Sequence, residues 1–367
     1  MARKLKRPKS KELLAWYDEH ARILPWRISP KKRAAGKVPD PYKVWLSEIM
    51  LQQTTVAAVK SYFEKFLTTW PKLKDLAASD RDDVLKAWAG LGYYSRARNL
   101  KACADIIMSD YGGKFPHNPK ELKNLPGIGE YTAAAISAIA FDKPEVVVDG
   151  NVERIIARLF AIEDALPAAK KIIKEHAASL TPKKRAGDYA QAMMDLGATI
   201  CTPKKPKCDI CVWQRACQAH FLGAEESFPR KAPRKIKPTR YGWAFVAERE
   251  DGAILLRKRP DKGLLGGMTE IPGTAWSEEK PKVPFAAAPY QAGWSKQCGT
   301  IRHTFTHFHL ELNVVTNLFP QSQEPSKNCW WADAKSIAEE ALPTVMKKVL
   351  EAAKPGITIK PGEKLYR

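Results

Sequence analysis

The chain has 367 residues, with 61 lysines and arginines against 40 aspartates and glutamates, for a net charge of +21. No run of about eighteen apolar residues occurs, which excludes a helical membrane span, and the basic N-terminus lacks the apolar stretch of a secretory signal. The length favours two domains, the charge favours a polyanionic partner with nucleic acid first, and 7 cysteines without an export signal favour a reducing cytoplasm where thiolates hold metals.

Residues 10–220 read as mostly helical, because segments 42–66, 81–89 and 131–141 repeat apolar residues at helical intervals between prolines such as Pro25, Pro39, Pro41, Pro71 and Pro116. Leu125-Pro-Gly-Ile-Gly129 is a tight hairpin opening an alanine-rich helix, and segment 118–124 supplies a short helix before it. Gly127 and Gly129 let the backbone approach a ligand, and the free N–H groups at the helix start attract an anion such as DNA phosphate. A glycine turn between helices is also common without any ligand. Val146-Val-Val-Asp149-Gly-Asn151 ends an apolar run on an acid at a helix start, where helix capping is the commonest role.

Cys201, Cys208, Cys211 and Cys217 follow as C-x6-C-x2-C-x5-C. Four thiols on one short loop favour a metal centre over disulfides. The single C-x2-C knuckle fits a cubane iron–sulfur cluster better than zinc, and spacing alone leaves both open. Lys204, Lys205 and Lys207 lie between the first two of these cysteines.

Residues 222–240 are basic and proline-rich and read as an exposed linker. Beyond it, 241–248 and 253–257 read as strands around the turn Glu250-Asp251-Gly252, 305–315 as a further strand, and 336–353 as a helix. The expected organisation is a mainly helical domain over 8–221, a linker over 222–240 and an α+β domain over 241–360.

Taken together, L-P-G-I-G, V-D-G-N and the cysteine loop resemble the helix–hairpin–helix DNA glycosylases that carry a 4Fe–4S cluster. In the endonuclease III branch a lysine stands two residues after the second hairpin glycine and attacks the sugar as an amine. Here that position is Tyr131, which cannot form a Schiff base. Leu24-Pro-Trp26-Arg27 and Trp45-Leu-Ser-Glu48-Ile-Met-Leu-Gln-Gln53-Thr54 are similar to motifs of the adenine glycosylase branch, MutY. Glu48 falls beside the apolar stripe of its helix. Leu91-Gly-Tyr93-Tyr94-Ser-Arg96 is similar to the branch's loop that wedges into the duplex.

The run 255–267 with Ile271-Pro-Gly273 is similar to the Nudix-like module that recognises 8-oxoguanine, and Phe305-Thr306-His307 stands at its Phe-Ser-His loop. The chain after Gly273 lacks the R-E-x-x-E-E helix of a hydrolytic Nudix enzyme, so this module is expected to bind a base without hydrolysing a nucleotide.

The resemblance implies a mainly α helix–hairpin–helix glycosylase domain with a 4Fe–4S loop held by Cys201, Cys208, Cys211 and Cys217, plus an α+β Nudix-like C-terminal domain. It implies a monofunctional enzyme of base excision repair whose partner is double-stranded DNA with adenine opposite 8-oxoguanine or guanine. No membrane partner is expected, and the enzyme is expected to be monomeric and cytoplasmic, nucleoid-associated as in bacteria. Glu48 would be the acid and Asp149 the anion opposite the sugar cation, with Tyr131 and Asn151 positioning them. Arg22, Leu24, Trp26, Arg27 and Gln191 would line the adenine pocket. Gln53, Thr54, Leu91 and Tyr93 would engage the duplex, and Phe305, Thr306 and His307 the oxidised guanine. Gly127, Gly129, Lys204, Lys205 and Lys207 would meet phosphates. The rival readings are an endonuclease III-like glycosylase/lyase and a non-catalytic iron–sulfur DNA-binding protein.

Overall fold

The computed structural model describes residues 5–233, 236–282, 284–294 and 296–358. The first four residues of the basic N-terminus, Arg234 and Lys235 of the linker, and residues 359 and 360 of the expected second domain lie outside them. Two compact units emerge, Met1–Ala78 with Asn99–Arg234 and Ser79–Arg98 with Lys235–Arg367. The helices begin with α1 (Ser10–His20), α2 (Pro30–Ala34), α3 (Pro41–Leu51), α4 (Val56–Thr69) and α5 (Leu73–Ala78). Next come α6 (Arg81–Trp88), α7 (Ser95–Asp110), α8 (Pro119–Leu122), α9 (Glu130–Phe141) and α10 (Gly150–Leu159). The series ends with α11 (Lys170–Leu180), α12 (Ala186–Thr199), α13 (Gln218–Phe221) and α14 (Thr344–Ala353).

The centre of the first unit is α9. Every side chain from Thr132 to Ala140 is buried, as expected of a helix apolar on all sides. Helices α3 and α12 pack against it, and α10 packs against α12. These approaches are close enough to need glycine. A Cβ on Gly187 would fall 2.5 Å from the Ala138 carbonyl oxygen, and one on Gly197 would fall 2.5 Å from Cβ of Asn151.

Segment 42–66 is two helices rather than one. The stripe continues across the break, so periodicity does not register it. Gln53 adopts a left-handed φ of 58°, and Thr55 caps α4 by accepting from the Ala58 N–H. The proline-rich 222–240 segment also departs from the expected exposed linker. Phe228 is buried in the first unit's core, the Leu166 N–H donates to the Arg230 carbonyl at 2.9 Å, and Arg230 pairs with Glu163 at 3.0 Å. One apolar residue outweighs the composition around it.

The second unit is built on a sheet in the order β3-β2-β1-β5-β4, with β6 also paired to β2. The strands are β1 (Thr239–Arg249), β2 (Ile254–Lys258), β3 (Thr269–Glu270), β4 (Lys296–Thr304), β5 (His309–Phe319) and β6 (Cys329–Ala332). The central pair, β1 and β5, is parallel, running in register from Thr239 with His309 to Arg249 with Phe319, and the other pairs are antiparallel. Alternation places Ala244, Val246, Leu310, Leu312 and Val314 in one core with α14, and Phe245, Ala247, Val315 and Phe319 in another with Trp294.

The strand expected over 305–315 starts at His309. Residues 305–308 instead form the turn from β4, closed by the Phe305 N–H donating to the Phe308 carbonyl at 2.9 Å. The helix expected over 336–353 is a 3-10 turn, Ile337–Glu339, and then α14. Pro343 cannot continue a helix and starts the second piece. Among the described residues, 274–282 contain no helix where a hydrolytic Nudix enzyme needs one.

Replacing Gly197 by alanine should cost ~1–3 kcal/mol through overpacking against Asn151. Urea unfolding measures it, and a loss below ~0.5 kcal/mol would show that α10 yields freely.

Candidate active site

Asp40 starts α3 by accepting from the Tyr42 N–H, with Pro41 preset for the first turn. The helix is buried from Val44 to Met50, which carries Glu48 inside the unit, 6 % exposed. The Tyr131 hydroxyl, from the first turn of α9, donates to Glu48 Oε2 at 2.9 Å. Burial pushes the Glu48 carboxyl up from 4.5 to about 7; the Tyr131 bond and Arg27 act against this, and Asp149 adds to it. Burial also raises the Tyr131 phenol far above its ordinary value, so it remains a donor through neutral pH.

Asp149 caps α10. Its Oδ1 accepts from the Val152 N–H at 2.8 Å, and its Oδ2 accepts from Asn151 Nδ2 at 2.9 Å. Arg154 then donates to Asn151 Oδ1 at 2.9 Å and to the Gly197 carbonyl at 2.7 Å. Capping therefore fixes this carboxylate in one orientation without removing it from the cavity.

Glu48 and Asp149 line a cavity of about 400 Å³ together with Arg22, Leu24, Trp26, Arg27, Gln53, Thr54, Tyr131, Asn151 and Gln191. That volume is within the range of small-molecule sites. Sequence reasoning missed Gln52, which lines the same cavity and donates to Thr132 Oγ1 at 3.1 Å. It also missed Asp195. This residue is wholly buried on α12 and accepts from Arg22 N at 2.9 Å and Nε at 2.5 Å, and from Arg27 NH1 at 2.8 Å on both oxygens. The available signal was a lone acid in the apolar run Ala192-Met-Met-Asp195-Leu.

At the hairpin, Gly127 has φ 76° and a Cβ there would strike Asn99 at 2.8 Å, so the fold requires glycine. Gly129, the N-cap of α9, has ordinary φ and open space where a Cβ would sit, so the fold alone does not require glycine there. In the cysteine loop, Arg158 NH1 donates to Cys201 Sγ at 3.3 Å. Burial disfavours thiolates at Cys208, Cys211 and Cys217; Glu225 comes next at Cys208, and the neighbouring thiols add to the rise at all three. Thiols that raise one another in this way suit a cationic centre. His220 and Glu225, bonded to one another at 2.5 Å, also approach Cys208. Lys204, Lys205 and Lys207 are exposed.

In the second unit, Tyr93, Phe305, Thr306 and His307 line a separate cavity of about 450 Å³, and the Tyr93 hydroxyl lies 3.0 Å from Thr306 Oγ1. Tyr93 is exposed at a left-handed φ of 48°. Arg96 holds this loop by donating to the carbonyls of Leu91 at 3.1 Å and Gly92 at 3.0 Å, and its guanidinium lies 5.6 Å from the Tyr93 ring centroid. Leu91 is buried and does not line the cavity.

Two family profiles match. The HhH-GPD superfamily base excision DNA repair protein covers residues 46–183, and the NUDIX domain covers residues 243–352. The adenine DNA glycosylase of Mus musculus is 34% identical over 92% of this chain and 76% of its own length. That of Buchnera aphidicola subsp. Acyrthosiphon pisum is 34% identical over 95% of this chain and 98% of its own. The chain belongs to the adenine DNA glycosylase family. The structure of a thermostable thymine-DNA glycosylase is similar, with a TM-score of 0.51 and 32% identity over 58% of this chain and 95% of that one. The family's HhH-GPD segment contains Glu48, Tyr131, Asp149 and Asn151, and its NUDIX segment contains the 305–308 turn. Among the described residues, no helix is long and apolar enough to cross a membrane.

A buried carboxyl shifted upward makes stability depend on pH. Between 4.5 and about 7 the folded chain keeps a proton that the unfolded chain has lost, so stability falls as pH rises and stays lower above that range. Glu48→Gln should thus stabilise the protein by ~3 kcal/mol at pH ~8 and change little at pH ~4.5. Urea unfolding at both pH values measures it, and equal effects at the two would rule out a buried, ionising Glu48.

Proposed function

We propose that this adenine DNA glycosylase excises adenine from duplex DNA where it stands opposite 8-oxoguanine or guanine, without lyase chemistry. The observation that carries the reading is the Tyr131 phenol donating to a buried Glu48 at the position where a lyase needs an amine. The C–N bond of a stacked nucleotide is inaccessible, so the deoxyadenosine is first flipped into the cavity of Glu48 and Asp149. Protonated Glu48 gives its proton to the imidazole ring of adenine, and the base departs with the bonding electrons. Asp149, pinned by Asn151 and the Val152 N–H, stabilises the sugar cation until water adds. Arg22, Leu24, Trp26, Arg27 and Gln191 enclose the base, while Gln53, Thr54 and Tyr93 hold the duplex.

We assign the orphan guanine to the cavity of Tyr93 and Thr306, where the Thr306 hydroxyl can hydrogen-bond the oxidised base. The open space at Gly129 admits a phosphate to the start of α9. We assign a 4Fe–4S cluster to Cys201, Cys208, Cys211 and Cys217. Bound there, it would cross-link the loop and stiffen the surface that carries Lys204, Lys205 and Lys207 for the DNA backbone.

Duplexes containing adenine opposite 8-oxoguanine, or thymine glycol, separate the readings. Adenine release with strand cleavage only after alkali is expected. Direct nicking at thymine glycol would favour an endonuclease III-like enzyme, and no excision a non-catalytic binder. Glu48→Gln and Asp149→Asn should each lower single-turnover excision by at least ~100-fold while duplex binding persists. The parent rate should fall about tenfold per pH unit above about 7, as Glu48 loses its proton. A flat profile from pH ~6 to ~9 would remove Glu48 from the acid role.

A further inference from the structure

Asp195 has no accessible surface, and the chemistry above gives it no task. Its carboxylate binds two arginines that both line the cavity of Glu48, and it is the charged residue that α12 directs at them. It lies in the second of two such arrangements on α12. One α-helical double turn earlier, Asp188 receives Arg33 NH1 at 3.4 Å and Arg185 Nε at 2.9 Å.

We propose that Asp195 is a positioning residue, the counter-ion that neutralises the Arg22–Arg27 wall and so lets Glu48 keep the proton it donates. The inference rests on the reading of Glu48 as the acid. Its physical basis is the set of charges around that carboxyl. From α9 comes the Tyr131 phenol, and from the α10 cap comes Asp149 with Arg154 behind it. From segment 22–27 come Arg27 and, at the cavity edge, Arg22. Two uncompensated guanidinium groups in a desolvated pocket would stabilise a Glu48 carboxylate and so disarm the acid. Arg27 already opposes the rise at Glu48, even with Asp195 bound to it. Tyr17 of α1 completes the surroundings of Asp195; burial pushes its phenol up to about 12, Arg27 lowers it and Asp195 adds to the rise. The same ion pairs hold Leu24 and Trp26 in the pocket wall, so charge and shape both depend on this one carboxylate.

The test reads the protonation of Glu48 directly, in full-length protein labelled with 13C at glutamate carboxyls. The Glu48 signal is identified by its loss in Glu48→Gln. The parent should titrate with a midpoint at about 7. Asp195→Asn should lower that midpoint by about one unit. In Arg27→Met/Asp195→Asn, where the anion leaves together with the guanidinium that lowers Glu48 and Arg22 stays behind, the midpoint should rise above that of Asp195→Asn. An unchanged midpoint in Asp195→Asn overturns the proposal. So does a midpoint that stays low in the double variant, which is the result a loosened, wetter pocket would give. Where Asp195→Asn loses its near-ultraviolet circular dichroism and fails to fold, Arg27→Met alone decides, because it leaves Asp195 with Arg22. Its midpoint must rise, and one that holds or falls overturns the proposal. Excision assayed beside these titrations separates the two readings. Midpoints that move as expected in a parent that releases no adenine retain the counter-ion and remove the catalytic assignment. Midpoints that fail to move in an active parent remove the counter-ion alone.

Discussion

Burial is the largest cause that holds a proton on Glu48 near neutral pH, and helix α9 supplies much of the packing around it. Its alanines are small and buried on every side, so α3 and α12 approach closely around a cavity lined by both polar and apolar side chains. The first turn of the same helix supplies Tyr131, and the hairpin ahead of it places Gly129 at the helix N-terminus. One element therefore walls the cavity, gives Glu48 its hydrogen-bond donor and begins at a glycine with open space beside it.

Helix α12 carries the complementary load. Gly187 and Gly197 set its distance from α9 and α10, Gln191 lines the cavity, and Asp188 and Asp195 hold arginines that arrive from the N-terminal segment. The segment before α3 is tied to the same helix, because Arg33 from the short α2 pairs with Asp188. Burying such ion pairs brings little net stability, since desolvation offsets most of the attraction. Their value lies in fixing where the pocket wall stands.

Much of this was legible in the amino-acid sequence, and the remainder was hidden for physical reasons. Glu48, Tyr131, Asp149 and Asn151 sit in short local motifs, and the structure brings all four to one cavity. The lone acid Asp195 in its apolar run did not reveal its role because its partners are distant in sequence, with Arg22 and Arg27 on a different segment. Periodicity merged α3 with α4 because the apolar stripe crosses the break at Gln53. It ran β5 back to Phe305 because that residue is apolar and half-buried, although it belongs to a turn and stacks on Phe308 at 4.8 Å. Composition made 222–240 look like a solvated connector, when one buried ring, Phe228, holds its first part to the helical unit.

The parallel pairing of β1 with β5 has a kinetic consequence. Each residue of β1 bonds a strand lying roughly seventy residues further along the chain. Closing a loop of that length precedes any return from the contacts it brings, whereas the helical hairpin around Gly127 is assembled from neighbours. The turn bearing Thr306 and His307 joins β4 to β5 in an antiparallel hairpin made from neighbours, and only the seating of that hairpin against β1 waits for the long-range closure. In a chain still emerging from synthesis, every residue lining the cavity of Glu48 and Asp149 is present before β5 can pair with β1.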